Sequence, residues 1–344
     1  MSSEALAPPR RRRRLGLYLP IVLLLLLAAG WSVGWFVIRA RVTSGLDEWI
    51  SQEAAAGRRW TCADRTVGGY PFRLEIRCSE ITVDRPDVRA SVGRLLVVTQ
   101  IYQPRHIIAE ASGPLRLKAD TTEVDGRWKM LRSSVMLNLG GFDLIDLVAE
   151  EPFVTVHALG GIPFDLSSRR FESHLRPNPT DRTAMDLAWR SEGAAIPGLD
   201  ELIGGKERAD TDIRITVTQT DDLPARPLWG ELERWRAAGG VVNLTTFKIA
   251  KGPQRLEGTG RIGIDAEHRP EGELELAGAG LGGVLGQLTS GGGSLLGALL
   301  GGGRAPEQTT PGTPLKPLPP LRLQGGRLLV GPLPIPGVRI PSLY

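Results

Sequence analysis

The feature that most constrains this chain is an apolar segment near its start. No side chain from Leu15 to Ile38 is charged, and the run Leu23 to Leu27 lies at its centre. As a helix the segment is about 36 Å long at about 1.5 Å per residue, whereas the hydrocarbon core of a bilayer is about 30 Å thick. A soluble helix this apolar would need protein on every side. We therefore expect residues 15–38 to form a transmembrane helix.

The charges that flank this segment predict its orientation. The residues before it form the basic run Arg10, Arg11, Arg12, Arg13 and Arg14, whereas only Arg39 and Arg41 follow closely. Basic residues concentrate on the cytoplasmic side of a span. We therefore expect residues 1–14 to be a cytoplasmic arm and residues 39–344 to be exported.

A cleaved signal peptide is the alternative interpretation of the same segment. The small residues Ala28-Ala29-Gly30 offer a cleavage site, and the apolar region of such a peptide is usually about 7 to 15 residues long. Here the apolar run continues to Ile38, and Trp31 and Trp35 lie near its outer end, where aromatic rings favour the membrane interface. These features favour a retained signal anchor.

The two cysteines, Cys62 and Cys78, both lie in the part expected to be exported, where disulfides persist. Their midpoint is Tyr70, within the turn signal Gly68-Gly69-Tyr70-Pro71. A hairpin folded about that midpoint would place the cysteines opposite each other at a separation that suits a disulfide. A metal pair or a redox dithiol is the alternative, but neither a CxxC spacing nor a nearby histidine supports it.

The fold class predicted for the exported part is mainly β (α+β): a large, antiparallel, twisted β-sheet with a few short helices. Glycine and proline make up 69 of 344 residues (43 and 26), which excludes a helical bundle. Apolar and charged side chains alternate from Phe72 to Cys78 and again from Asp212 to Thr218, which is typical of half-buried strands. Further strands are predicted over Leu95–Val98, Ile107–Ala109, Leu115–Lys118, Val135–Leu139, Phe153–Ala158, Val241–Ala250, Arg255–Asp265, Gly272–Ala277 and Leu321–Val330.

Helical spacing of apolar residues predicts helices over Val42–Gly57, Gly140–Ala149 and Pro227–Ala238. Residues 281–300 are rich in Gly and Leu and predict two short amphipathic helices, with a low-complexity loop as the alternative. The candidate ligand-contacting side chains in that segment are Leu281, Leu285, Leu288, Leu295 and Leu299. The exported part divides into two candidate β units, about 58–225 and 226–344, with a Pro/Gly-rich segment over 301–320.

No motif in the sequence predicts catalysis, a cofactor or a metal site. The chain has four histidines, His106, His157, His174 and His268, and none lies at metal-ligand spacing from another. The formal net charge of +4 is small, and the tryptophans are not interleaved with lysines, so nucleic-acid binding is not expected. We expect a protein that is not an enzyme.

Several motifs together resemble a bacterial family of uncharacterised, signal-anchored periplasmic proteins. They are the Arg run with its span, Trp60-Thr61-Cys62 with Cys78 after a gap of fifteen residues, Gly69-Tyr70-Pro71-Phe72, Leu328-Leu329-Val330-Gly331-Pro332 and Leu343-Tyr344. The resemblance implies a single-pass protein of the bacterial inner membrane with residues 39–344 in the periplasm. It supplies no catalytic residues.

A more distant resemblance is to AsmA-like envelope proteins. The stretch Gly240–Gly278, with Gly258-Thr259-Gly260 and Gly272-Glu273-Leu274, is similar to their strand-turn-strand repeats. This resemblance implies a long curved β-sheet in the periplasm and a role in lipid handling or outer-membrane integrity. The chain is much shorter than the bridge-like members of that group.

The expected function is therefore the binding of lipid, acyl chains or another hydrophobic ligand on an apolar sheet face, because burial of apolar surface is favourable. The expected partners are the membrane and other envelope proteins. An alternative is an assembly factor without a small ligand, which binds partner proteins through strand edges or through the Pro-rich residues 304–341. An enzyme ranks last.

Overall fold

A computed structural model describes residues 15–119, 122–139, 141–158, 163–197, 207–220, 228–281 and 314–344. The described chain begins with a long helix, α1 (Leu15–Ala55), and continues as antiparallel strands with one further helix, α2 (Leu228–Ala237). The expectation of a mainly β fold behind an apolar N-terminal helix is confirmed. The run Arg10–Arg14 lies outside the described residues.

The strands form two sheets, and the smaller sheet has seven strands. They are β1 (Arg59–Cys62), β4 (Ile81–Asp84), β5 (Val88–Val92), β8 (Leu115–Ala119), β9 (Thr122–Arg127), β12 (Phe153–Ala158) and β13 (Phe164–Ser167). Their spatial order follows their chain order.

The larger sheet has sixteen strands. They are β2 (Thr66–Gly68), β3 (Arg73–Cys78), β6 (Leu95–Gln100), β7 (Gln103–Ala111), β10 (Met130–Leu137), β11 (Phe142–Glu150), β14 (Arg170–Pro177), β15 (Met185–Ala194), β16 (Ala209–Val217), β17 (Val242–Lys251), β18 (Gln254–Ile264), β19 (Pro270–Ala279), β20 (Lys316–Pro317), β21 (Leu321–Gln324), β22 (Arg327–Val330) and β23 (Leu333–Arg339). They also follow chain order, and β20 pairs with β19 beside the main path.

The two sheets are connected by strands that pass from one sheet into the other. Only two or three residues separate β3 from β4, β5 from β6, β7 from β8, β9 from β10, β11 from β12 and β13 from β14. Each of these pairs therefore acts as one long strand with a corner. At one corner Gly93 faces Gly113, and a Cβ on Gly93 would lie 2.6 Å from the Gly113 carbonyl oxygen. Among the described strands, β15 to β23 have no continuation into the smaller sheet.

The pairing register separates the larger sheet into two chemically different faces. Residues opposite each other in an antiparallel ladder lie on the same face, and Leu187 is opposite Ile215, which is opposite Leu244. We call the face that carries them the apolar face. Over β14–β22 it includes Phe171, Leu175, Leu187, Trp189, Ile213, Ile215, Val217, Val242, Leu244, Phe247, Leu256, Ile262, Leu274, Leu276, Leu321, Leu323, Leu328 and Val330.

The opposite face carries ion pairs between neighbouring strands. They are Arg132–Glu110, His174–Asp146, Arg176–Asp186, Arg190–Asp212, Lys248–Glu257 and Arg322–Glu273. A hydrogen bond from Arg214 lowers the pKa of Asp212. Exposed pairs of this kind contribute little stability, but they identify the charged face as the one that faces water.

Helix α1 differs from the expectation of two helices. The predicted helix Val42–Gly57 is not separate, because α1 runs without a break from Leu15 to Ala55. The segment after the apolar run contacts the first strands, where Trp49 lies 5.5 Å from Trp60 between ring centroids and Asp47 pairs with Arg65. These contacts fix the outer part of the helix against the β-structure.

The helix predicted over Gly140–Ala149 is wrong, because the structure has strand β11 there. β11 lies between β10 and β14 and carries apolar residues on both faces, such as Leu144 and Ile145, which conceals the alternation. The helix predicted over Pro227–Ala238 is confirmed as α2. The boundary predicted near residue 225 stays a prediction; β16 and β17, which flank it, pair within the same sheet.

Candidate functional site

The apolar face is an extended surface on which the described residues could hold a ligand. Its side chains over β14–β22 named above are half-buried. The buried apolar side chains of this face, such as Ile249 at 8% exposure, lie near the end of the strands that contains Lys251. Away from that end, each strand presents apolar side chains that keep part of their surface accessible.

Glycines on β18 leave room for leucine side chains of β19 to lie flat on the apolar face. Gly258 is opposite Leu276, and Gly260 is opposite Leu274. A Cβ on Gly260 would lie 2.5 Å from a methyl carbon of Leu274. Each leucine therefore covers the strand beside it, and a larger residue in place of the glycine would push the leucine away from the sheet.

Leu281 is the one candidate ligand contact that the structure describes. It packs with Phe247 and Leu256 against the buried pair Ala209 and Ile249. Leu281 thus lies on the apolar face, at the end where that face is best covered. The other four candidates, Leu285, Leu288, Leu295 and Leu299, lie outside the described residues, as does most of the predicted segment 301–320.

The junction between α1 and the larger sheet is built by the turn between β2 and β3. The indole N–H of Trp31 donates to the carbonyl oxygen of Pro71 at 2.9 Å, and that of Trp35 donates to the carbonyl oxygen of Arg73 at 3.0 Å. The hydroxyls of Ser32 and Tyr70 are 2.8 Å apart. The Gly69-Tyr70-Pro71-Phe72 motif is therefore the turn that contacts α1.

Aromatic packing reinforces this junction. The Tyr70 ring lies 5.4 Å from Trp35 and 6.1 Å from Phe36, and the Phe72 ring lies 6.1 Å from Trp31, between centroids. Trp35 is only 4% exposed. The apolar helix and the β-structure therefore form one packed unit.

The disulfide between Cys62 and Cys78 is present, with a Cα–Cα distance of 5.2 Å. Its expected position as a facing pair in one hairpin is wrong. Cys62 is opposite Ile81 in the smaller sheet, whereas Cys78 is opposite Leu95 in the larger sheet. The bond therefore crosses the corner between the sheets, which the sequence spacing did not reveal.

A polar cluster joins α2 to Tyr344 and to the turn after β18. The Tyr344 hydroxyl donates to Glu233 at 2.7 Å, and its ring stacks on His268 at 4.4 Å. Hydrogen bonds from Arg236 and then from Tyr344 lower the pKa of Glu233 to about 2. Trp235 of the same helix donates to the Thr218 carbonyl oxygen at 2.7 Å. The cluster holds α2 over one end of the sheet.

Two histidines that the sequence leaves isolated have partners on the charged face. His106 Nε2 lies 2.9 Å from Ser134 Oγ, and His174 Nδ1 lies 2.6 Å from Asp146 Oδ1. Ser134 and Asp146 are opposite each other in the ladder. In a Ser-His-Asp triad one histidine bridges the other two residues, whereas here the serine and the aspartate contact different histidines. Spacing along the chain could not have shown these contacts, because they join different strands.

Within the described ranges, no group of three or more His, Cys, Asp or Glu side chains is arranged to hold a metal ion. One helix there, residues Tyr18–Ala55, is long and apolar enough to cross a membrane. The apolar segment is almost entirely exposed, since only 6% of its most apolar stretch of 18 residues is buried. An exposed apolar surface of this size is compatible with a single membrane span.

Comparison with known proteins places this architecture in a family. No curated protein and no solved structure matches the chain. A family described as uncharacterized proteins conserved in bacteria matches residues 35–338. The matched range begins at Trp35, in the junction with the β-structure, and extends into β23. The chain therefore belongs to this bacterial family, DUF2125.

Proposed function

We propose that this protein is anchored in the bacterial inner membrane by α1 and binds lipid, acyl chains or another hydrophobic ligand on the apolar face, in the periplasm. The observation that carries the proposal is the apolar face itself, which continues over the strands from β14 to β22 with half-buried side chains. A ligand that covers about 200 Å² of it would gain about 5 kcal/mol at about 25 cal/mol per Å².

The contrast between the two faces supports this proposal. On the charged face, ion pairs join side chains of neighbouring strands, and such a face is suited to contact with water. The apolar face has few polar side chains with which to bind a polar ligand. A role in envelope lipid handling, which the sequence resemblance to AsmA-like proteins implies, is consistent with an extended sheet that has this division. Catalysis has less support, since the His106–Ser134 and His174–Asp146 pairs do not combine into one site.

The length of the apolar run supports retention of α1 as an anchor, because it continues for eight residues beyond the alternative cleavage site, to Ile38. Trp31, Ser32 and Trp35 contact the turn between β2 and β3. All three lie beyond the alternative cleavage site Ala28-Ala29-Gly30, so these contacts hold the rest of the helix against the β-structure. The helix passes through that site without a break. An anchor that is packed against its own domain has a structural role after export.

The test compares two adjacent residues of β18 that lie on opposite faces. Ile262→Glu places a charge on the apolar face, and Arg261→Ala changes the net charge by the same amount on the charged face. Full-length protein is purified in detergent, and its bound lipids are extracted and measured by mass spectrometry. We expect lipid with the wild type and Arg261→Ala, and a strong loss with Ile262→Glu.

Two results would contradict the proposal. One is purified wild-type protein without lipid after reconstitution and re-extraction. The other is an Ile262→Glu variant that retains the wild-type lipid content while remaining folded by circular dichroism. A pull-down of one defined envelope protein that depends on residues 316–339, with no lipid bound, would instead favour the assembly factor.

Residues 316–339 reduce the support for that alternative. This part of the Pro-rich stretch is paired into the larger sheet as β20–β23. Its last strand, β23, contains Pro334 and Pro336, and prolines at a sheet edge discourage pairing with a further strand.

A further inference from the structure

The position of one β-turn along α1 fixes how close the β-structure comes to the bilayer. Trp31 precedes Arg39, the first charged residue after the apolar segment, by about 12 Å along a helix that rises about 1.5 Å per residue. The turn whose Pro71 accepts a hydrogen bond from Trp31 is held at that level. It therefore lies beside the apolar segment and not beyond its end.

The neighbouring turn lies at the same level. The β6–β7 turn contains Ile101 and Tyr102, and the Ile101 amide donates to the carbonyl oxygen of Phe72 at 3.0 Å. Ile101 lines a cleft of about 370 Å³ against α1, whose other lining residues are Leu26, Leu27, Gly30, Trp31, Gly34, Trp35 and Ile38. A cleft with this apolar lining suits an acyl chain.

Four of the five backbone carbonyl oxygens from Gly69 to Arg73 accept hydrogen bonds, which lowers the cost of placing the β2–β3 turn in a low-dielectric environment. Polar backbone groups without partners are costly in hydrocarbon. The carbonyl oxygens of Gly69, Pro71, Phe72 and Arg73 all accept hydrogen bonds, from Arg73, Trp31, Ile101 and Trp35. Pro71 has no amide hydrogen to satisfy.

Three aromatic side chains of the two turns keep a large exposed surface beside α1. Tyr70 is 53% exposed, Phe72 is 58% exposed and Tyr102 is 68% exposed. Large exposed aromatic rings are unfavourable in water, and Tyr and Trp are enriched at the membrane interface. Arg105 is exposed three residues after Tyr102, and a long Arg side chain can keep its charged end at the membrane surface while its stem covers apolar surface.

We propose that the β2–β3 and β6–β7 turns insert into the leaflet from which the β-structure emerges, with Tyr70, Phe72 and Tyr102 in contact with lipid alongside α1. This inference rests on the proposed membrane span of α1. It adds a second membrane contact, made by β-turns, to the one made by the helix. The occupant is the bilayer because the contacts with α1 fix the turns at the depth of the apolar segment.

Photo-crosslinking in vesicles tests this inference. A photoreactive phenylalanine analogue is placed at position 72 or 102 of the full-length chain, in vesicles of phosphatidylethanolamine and phosphatidylglycerol. Position 164 is the matched control, since Phe164 is 40% exposed but lies on β13 of the smaller sheet. Position 24, at the centre of the apolar segment, reports on the span itself. Disulfide formation on a non-reducing gel checks that each variant folds.

We expect phospholipid adducts at positions 24, 72 and 102 and only background at position 164. Adducts at 24 but not at 72 and 102 would overturn the inference and leave the anchor intact. No adduct at any of the positions would overturn the anchor as well. Lipid adducts at position 102 that persist in delipidated detergent solution would indicate a lipid bound tightly to the protein. Adducts of position 102 to another protein would indicate a protein partner. Either result would overturn insertion into the bilayer.

Discussion

The indole nitrogen of Trp35 lies 3.0 Å from the carbonyl oxygen of Arg73, so a residue of the apolar helix is hydrogen-bonded to the first residue of a β-strand. The Trp35 ring is nearly inaccessible and meets Tyr70 edge to face. This contact joins two parts of the chain that sequence patterns assign to different environments.

Trp35→Phe should destabilise the junction by about 1 kcal/mol, because it leaves the Arg73 carbonyl without its donor in a partly buried setting. The measurement is thermal unfolding of full-length protein in detergent, with protease sensitivity near Arg73 as a local readout. Trp49→Phe is the control, since Trp49 is 43% exposed. Equal losses in the two variants would show that the hydrogen bond contributes nothing specific.

Removal of the disulfide by Cys62→Ser with Cys78→Ser should lower the free energy of unfolding by about 3 kcal/mol, the chain-entropy value for a loop of this length. The cysteines are separated by 16 positions, and the bond joins the two sheets at a corner. Denaturant unfolding of the variant, compared with wild type with and without reductant, measures the effect. A wild type that is indifferent to reductant would contradict this prediction.

Gly260→Ala should destabilise the β18–β19 pair by about 1–3 kcal/mol, the range for overpacking. A Cβ there would lie 2.4 Å from the Glu273 carbonyl oxygen. Gly263→Ala in the same strand is the matched control, because its nearest neighbours would be 3.8 and 4.0 Å away. We expect that variant to be neutral or slightly more stable, as measured by denaturant unfolding; a similar loss in both would refute the steric argument.

The contact between α2 and Tyr344 should weaken in acid. The pKa of Glu233 is lowered from 4.5 to about 2, so the folded state favours the carboxylate. A lowered pKa contributes stability that is fully present above about pH 4.5 and is lost as the pH falls towards 2. Wild type should therefore melt at a higher temperature than Glu233→Gln at pH 5, and this difference should shrink as the pH approaches 2.

The result that would contradict this prediction is a difference in melting temperature that is constant between pH 5 and pH 2. Tyr344→Phe separates the two partners of the carboxylate. That variant removes the tyrosine hydrogen bond and leaves Arg236, the larger cause of the shift, so a reduced acid dependence should remain.

The apolar segment, many of the strands and α2 could be predicted because each is encoded locally. The alternation from Phe72 to Cys78 and the meander from Val241 to Ala277 correspond to β3 and β17–β19. β11 could not be predicted this way. It carries Leu144 and Val148 on the face that is charged elsewhere, so neither a strand nor a helix period is clear.

The arrangement of the strands in two sheets could not be predicted from local sequence patterns. The corner between β3 and β4 is marked only by Ser79 and Glu80, which are ordinary residues for a loop. The same limit explains the partners of the disulfide. It also explains the role of the Tyr70–Phe72 turn, which the sequence marks as a motif but does not connect to Trp31.

The unbroken course of α1 restricts how the protein can operate. A domain on a flexible linker samples many distances and orientations relative to the membrane. Here the β-structure is fixed to the helix by contacts at Trp35 and at Trp49. The strands cannot swing away from the helix without dismantling both contacts. A ligand or partner of the β-structure must therefore approach it at a fixed distance from the helix and from a fixed direction. Any change in the tilt of α1 would also rotate the β-structure.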